Sequence, residues 1–144
     1  LPFIAMHMRG TPENMQENCS YDDILSEMGE YFEDFSMRAA EAGITEWMLD
    51  PGFGFSKTLD HNYTLLKNLS YFTRFDVPLL VGISRKSMVY RKHGITPEQA
   101  LAQTQVLHFA ALNNGASILR VHAVAEAART IATWEMLTKT ENEY

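Results

Sequence analysis

The sequence predicts an α/β fold built on parallel strands, and three observations lead there. Four apolar runs, 1–6 (LPFIAM), 46–50 (EWMLD), 77–83 (VPLLVGI) and 116–121 (ASILRV), are continuous rather than alternating, the pattern of strands covered on both faces. The segments between them place apolar residues at helical spacing. Asp50, Ser84 and Arg120, each near the C-terminal end of such a run, stand 34 and 36 residues apart, the length of one strand–helix unit. This period fits an open doubly wound sheet or a piece of a (β/α)8 barrel. In both, ligands meet the C-terminal strand ends and the loops that follow.

The helices are read in chain order. Residues 22–42 carry Ile24/Leu25, Met28, Phe32, Phe35 and Ala39 at spacings of three and four, and Gly43 is a good C-terminal stop. Residues 59–75 repeat the pattern with Leu65, Leu66, Leu69 and Phe72. The stretch TPEQ at 96–99 is a strong helix start: Thr96 caps, Pro97 takes the first helical position, and Gln99 can complete a capping box. That helix is expected to run to about Asn114 and stop at Gly115. The last, from about 124 to 138, is expected to use Ala128, Ile131, Trp134 and Leu137 or Met136, with 139–144 a solvated tail.

At 144 residues the chain is one domain, able to bury a sizeable core. Apolar content of 46% and charged content of 21% are those of an ordinary globular protein. A net charge of −6 implies neither a nucleic-acid partner nor an anionic membrane surface, and no apolar run approaches the roughly 18 residues that span a bilayer. The single cysteine, Cys19, cannot form an internal disulfide, which points to a reducing cytoplasm. The opening LPFIAMHM begins inside a buried strand, so a fragment lacking its N-terminal part is expected.

Polar residues gather at the strand ends. Asp50 opens DPGFGFSKT, and either caps the turn or is a buried carboxylate aimed at a ligand. A carboxylate accepts two parallel N–H bonds, so it suits an amidine-like or guanine-like ring edge. Gly52 and Gly54 allow close backbone approach. Phe53 and Phe55 are core residues by default, and one of them lines the pocket. In GISRKS, Ser84, Arg85 and Lys86 follow a strand and precede a helix, where N-terminal amides favour an anion; Arg85 and Lys86 could equally be solvated charges. In RVH, alternation sends Arg120 and His122 to the same side as a phosphate clamp. The alternative is a salt bridge for Arg120 and a capping role for His122. The five histidines show no metal-site spacing, so no metal ligand is assigned.

The stretches MHMRGTPENMQ, LDPGFGFSKTLDHNYTLL, PLLVGISRKSM and GASILRVHA together resemble the dihydropteroate synthase family. The likeness runs through nearly the whole chain in order, and implies the C-terminal half of a (β/α)8 TIM barrel, strands five to eight with their helices. It implies condensation of 4-aminobenzoate with 6-hydroxymethyl-7,8-dihydropterin pyrophosphate, giving 7,8-dihydropteroate and pyrophosphate in folate biosynthesis. It also implies Mg²⁺, whose protein ligand would lie outside this chain, and a homodimer formed through the late helices. By the same resemblance Asp50 grips the pterin, Met6 packs against it, and Gly82 leaves room for its ring. Lys86 contacts the pterin, and Arg85 belongs to the same strand end. Phe55 lines the aminobenzoate side, Ser84 helps to hold the aminobenzoate carboxylate, and Arg120 and His122 hold the pyrophosphate. Lys86, Arg120 and His122 are thus the expected catalytic residues.

Three departures accompany the likeness. Ala123 stands where an Asp usually follows RVH, Ser56 replaces the commoner Gly of GFGKT, and strands one to four are absent. Two competing readings remain: a non-catalytic half-barrel that self-associates or binds pterin weakly, and another pterin-binding barrel such as a corrinoid-linked methyltransferase. The SRK and RVH pair favours the synthase, because a methyltransferase has no pyrophosphate to hold.

Overall fold

A computed structural model describes residues 1–84 and 86–140. Strand β1 (Phe3–Met6) leads through a three-ten turn (Met15–Glu17) to helix α1 (Ile24–Glu41), then β2 (Trp47–Asp50) and α2 (Leu59–Lys67). A three-ten segment (Leu69–Phe75) precedes β3 (Leu80–Val81), short α3 (Ser87–Tyr90) and a turn at Arg91–His93. A further three-ten turn (Pro97–Ala100) feeds α4 (Leu101–Asn113), followed by β4 (Ile118–Leu119) and α5 (Val124–Lys139).

The pairing is parallel and sequential. β1 lies against β2 with Ala5 opposite Leu49 and Met6 opposite Asp50, and β3 lies against β4 with Val81 opposite Leu119. A single bridge, Leu49 to Leu79, links the two pairs. Each strand therefore sits beside its predecessor. β3 and β4 are shorter than their apolar runs, although ladder-type bonds such as Arg120 N–H to the Val81 carbonyl (2.9 Å) extend beyond them.

Local chemistry explains most boundaries. The Asp23 carboxylate caps α1 by accepting the Leu25 and Ser26 amides. Gly43, at φ +75°, ends it, and Ile44 N–H reaches back to the Ala39 carbonyl at 2.8 Å while Gly43 N–H bonds that of Ala40. That pair of bonds closes the C-terminus. The expected box of Thr96 and Gln99 forms, and Thr58 with His61 forms a second at α2. The segment 59–75 is not one helix: α2 stops at Lys67, where Asn68 caps it with both its backbone N–H (3.1 Å) and its side-chain amide (2.8 Å) on the Thr64 carbonyl, and a three-ten segment follows. Likewise the first turn of 96–114 is three-ten.

Ile24, Met28, Phe32 and Ala39 of α1 are buried as the spacing requires, and Leu65, Leu66, Leu69 and Phe72 meet them. Phe32 stands edge-on to Phe72 at 5.9 Å, above Leu49, Leu79 and Val81 of the strands. The last helix corrects its expected face. Ala128 is exposed, as are Met136 and Leu137, while Ala127 is buried and Ile131 and Trp134 are half-buried. The stripe toward α4 runs through Ala127, Thr130 and Trp134, whose indole donates to Asn113 at 3.1 Å. Lys139 ends this helix rather than opening a tail, and 141–144 lie outside the described residues.

Ala123 is the N-cap of α5 and supplies no side-chain acceptor. Ala123→Asp is expected to raise unfolding free energy by about 1 kcal/mol, read as a higher denaturant midpoint. An unchanged midpoint would show that a carboxylate at 123 does not reach the amides of the first turn.

Candidate functional site

Asp50 ends β2 almost wholly buried, and its Oδ1 accepts the Gly52 amide at 2.8 Å. It is therefore both a turn cap and an inward carboxylate. Burial is the largest influence on it and holds its carboxyl above the usual range, opposed by the Gly52 amide and by Lys86, Arg120 and Lys57. Gly52, at φ +70°, has no room for a side chain: a Cβ there would collide with the His7 carbonyl oxygen. The loop thus folds directly against the end of β1. Phe53 becomes core with no exposure, while Phe55 is half-buried beneath the Lys86 ammonium, 4.7 Å from its ring centre.

The loop after β3 and the end of β4 form the second wall. Gly82, Ser84, Lys86, Arg120 and His122 line one cleft of about 150 Å³. Gly82 serves Arg120 directly, since a Cβ at 82 would sit 3.0 Å from the guanidinium Nε and Nη2. Arg120 makes no ion pair among the described residues and is solvent-exposed. The Ser84 hydroxyl lies 3.1 Å from His122 Nδ1, which leaves Nε2 for a ligand. α3 begins three residues beyond Ser84, at Ser87. Burial, then the Arg120 charge, lowers Lys86 to about 8, and Asp50 partly restores it. Lys86 also donates to the Phe53 carbonyl. Arg85 lies outside the described residues. Met6 is half-buried at the end of β1, opposite Asp50 in register.

Sequence reasoning missed three groups. Lys57 is 4% exposed, and its ammonium meets the Phe55 carbonyl (2.8 Å), the Gly52 carbonyl (3.0 Å) and His7 Nδ1 (3.0 Å). Burial lowers Lys57 to about 7 and His7 to about 3. Ser87 and Arg91 line a neighbouring cleft of about 640 Å³ together with Lys57 and Cys19. Ser87 was visible one residue beyond Lys86, but nothing local marked Lys57 as buried. Among the described residues no three His, Cys, Asp or Glu side chains converge on one point. Three cations surround Asp50, so the residues present do not fit a bound Mg²⁺.

Comparison with known proteins points to one family. A family model described as pterin binding enzyme matches residues 1–122. Dihydropteroate synthase of Escherichia coli strain K12 is 42% identical over 146 aligned positions, covering 99% of this chain and 52% of that protein. A Yersinia pestis dihydropteroate synthase, solved with a sulfonamide drug complex, superposes with TM-score 0.94 at 40% identity, covering 98% of this chain and 52% of that one. The Thermus thermophilus dihydropteroate synthase in complex with 4-aminobenzoate gives TM-score 0.91 at 34% identity, with 96% and 57% covered. The chain spans about half the length of the curated relatives it matches.

The cleft's cationic character sets a pH dependence. Lys86 is charged below about 8 and neutral above it, so affinity for inorganic pyrophosphate is expected to fall as pH rises through that value. A charge-assisted contact is worth about tenfold. Lys86→Arg is expected to flatten the profile in titration calorimetry, and an unchanged slope would remove Lys86 from the anion site. Gly82→Ala is expected to weaken the same binding severalfold by displacing Arg120.

Proposed function

The chain belongs to the pterin-binding enzyme family, and from that membership we propose that it is the C-terminal half of a (β/α)8 barrel with dihydropteroate synthase activity. The observation that carries this reading is the convergence of Gly82, Ser84, Lys86, Arg120 and His122 on one cleft, facing the buried carboxylate of Asp50. The sequential strand order supports a barrel over a doubly wound sheet, whose order reverses at a switch point. Residues 1–144 would form one part of a single domain, completed by four further strand–helix units.

In this reading Asp50 accepts the ring N–H and exocyclic amine of the pterin, with Met6 packed against the ring. The ester's pyrophosphate lies against Arg120, Lys86 and the free Nε2 of His122, with Ser84 holding the imidazole at Nδ1. The amine of 4-aminobenzoate, set by Phe55, attacks the methylene carbon. A C–N bond forms as the C–O bond to pyrophosphate breaks, the leaving group takes the electron pair, and the amine proton is released to solvent. Negative charge grows on the leaving oxygen beside two fixed cations, so the site stabilises the transition state more than the ground state. Positioning supplies much of the remainder. Because the Ser84 hydroxyl is taken up by His122, Ser87 and Arg91 are the groups better placed for the aminobenzoate carboxylate.

Mg²⁺ would be held by groups outside this chain. A homodimer is supported by an apolar groove of about 530 Å³ between α4 and α5 beside the exposed Val106. The described residues contain no helix long and apolar enough to cross a membrane; a cytoplasmic setting is supported by the lone cysteine.

The test is formation of 7,8-dihydropteroate and pyrophosphate by the full-length protein from the two substrates. Their absence would overturn the reading. Asp50→Ala is expected to abolish pterin binding. Arg120→Ala is expected to weaken binding of the pyrophosphate ester about tenfold or more while sparing free pterin. Equal losses for both ligands would remove Arg120 from the anion site.

A further inference from the structure

The loop after β1 and the loop after β2 are clasped at two places, and both clasps meet at one carbonyl oxygen. The Ser56 hydroxyl accepts the Arg9 amide at 2.8 Å and donates to the Phe55 carbonyl at 2.7 Å. The Lys57 ammonium donates to that same carbonyl at 2.8 Å and bonds His7 Nδ1 at 3.0 Å. Residues 56 and 57 therefore answer residues 9 and 7. Tyr21 closes the arrangement from the following segment: its hydroxyl donates to the Ser56 carbonyl at 2.9 Å, and the Arg9 guanidinium stacks on its ring at 4.0 Å.

Ser56 has no exposed surface and sits at φ +51°, the left-handed region that disfavours a side chain. Such a conformation persists only where surrounding bonds impose it. Two donors on one carbonyl fix the peptide plane that follows Phe55. That plane sets where the aromatic ring points beneath Lys86.

We propose that Ser56 and Lys57 are positioning residues that tie Phe55 to the loop after β1, and that through this tie the Ser56 hydroxyl sets affinity for the aromatic amine rather than for the pterin. This rests on the reading of Phe55 as a wall of the aminobenzoate subsite. The Ser56 side chain does not line the anion cleft of Gly82, Arg120 and His122 and carries no charge toward Asp50, so removal of its hydroxyl leaves the chemical step intact.

The variants are Ser56→Gly and Lys57→Met in the full-length protein. Ser56→Gly keeps the left-handed backbone at no steric cost, so it isolates the hydroxyl. Two measurements decide: steady-state constants for each substrate, and amide hydrogen exchange of segments 7–10 and 52–58. Ser56→Gly is expected to raise KM for 4-aminobenzoate roughly three- to tenfold, the size of one neutral hydrogen bond. KM for the pterin ester and kcat should stay unchanged, and exchange at Arg9 should quicken. Lys57→Met, which also takes a cation from beside Asp50, is expected to quicken exchange at Arg9 and to raise both KM values. Equal rises in both KM values for Ser56→Gly, or unaltered exchange at Arg9 in either variant, would overturn the proposal. If the unsubstituted protein makes no dihydropteroate, the proposed function fails on its own, and the exchange at Arg9 still decides whether the clasp exists.

Discussion

A carboxylate taken out of water at the end of a strand has to be answered, and in this molecule most of the site is that answer. Asp50 is pushed toward its neutral form by burial and drawn back by one amide and three cations. The same burial pulls Lys57 and Lys86 toward neutrality while Asp50 restrains them. Asp50, Lys57 and Lys86 are thus each displaced from their behaviour in water by the burial they share, and each restrains that displacement in its neighbours of opposite charge. Such mutual perturbation is common where charges are arranged for function rather than for stability. It also explains why the loop between Asp50 and Lys57 is so dense in glycine and carbonyl contacts. The backbone has to come close enough to solvate what water no longer reaches.

How much of this was legible in the sequence depended on range. Helix starts were readable where the partner lies three residues away, as with Thr96 and Gln99. The stop at Gly43 and the α1 face through Met28 and Phe32 were also local patterns. The convergence of Lys86, Arg120 and His122 could be anticipated because strand ends recur at one unit's spacing. What could not be read was how a polar group distributes its bonds across distance. Ser84 looked like a free donor, yet its hydroxyl is committed to His122, 38 residues on. Lys57 carried no local mark of burial, yet its ammonium meets His7, 50 residues back. Gly82 was read as space for a ligand ring, whereas the nearest occupant is the guanidinium of Arg120.

The misread face of α5 has a related cause. Ala128, Ile131 and Trp134 share a helical stripe by spacing, but a helix packed mainly on one neighbour buries only a narrow one. Rotation by a single residue, to Ala127, is enough to seat that stripe on α4. Apolar periodicity fixes that a face exists and leaves its centre open by about one residue's turn, about 100°.

Each strand in this fold lies beside the one immediately before it in the chain. Every strand contact is therefore closed by one intervening connection, residues 7–46, 51–79 or 82–117, and closure entropy grows only slowly with loop length. Among the described residues each pairing joins strands that are consecutive in the chain. Assembly can proceed by accretion, each unit docking on a surface already made, as in linear repeat arrays. The C-terminal strand ends that carry the charged groups are thereby brought into line by contacts between consecutive units.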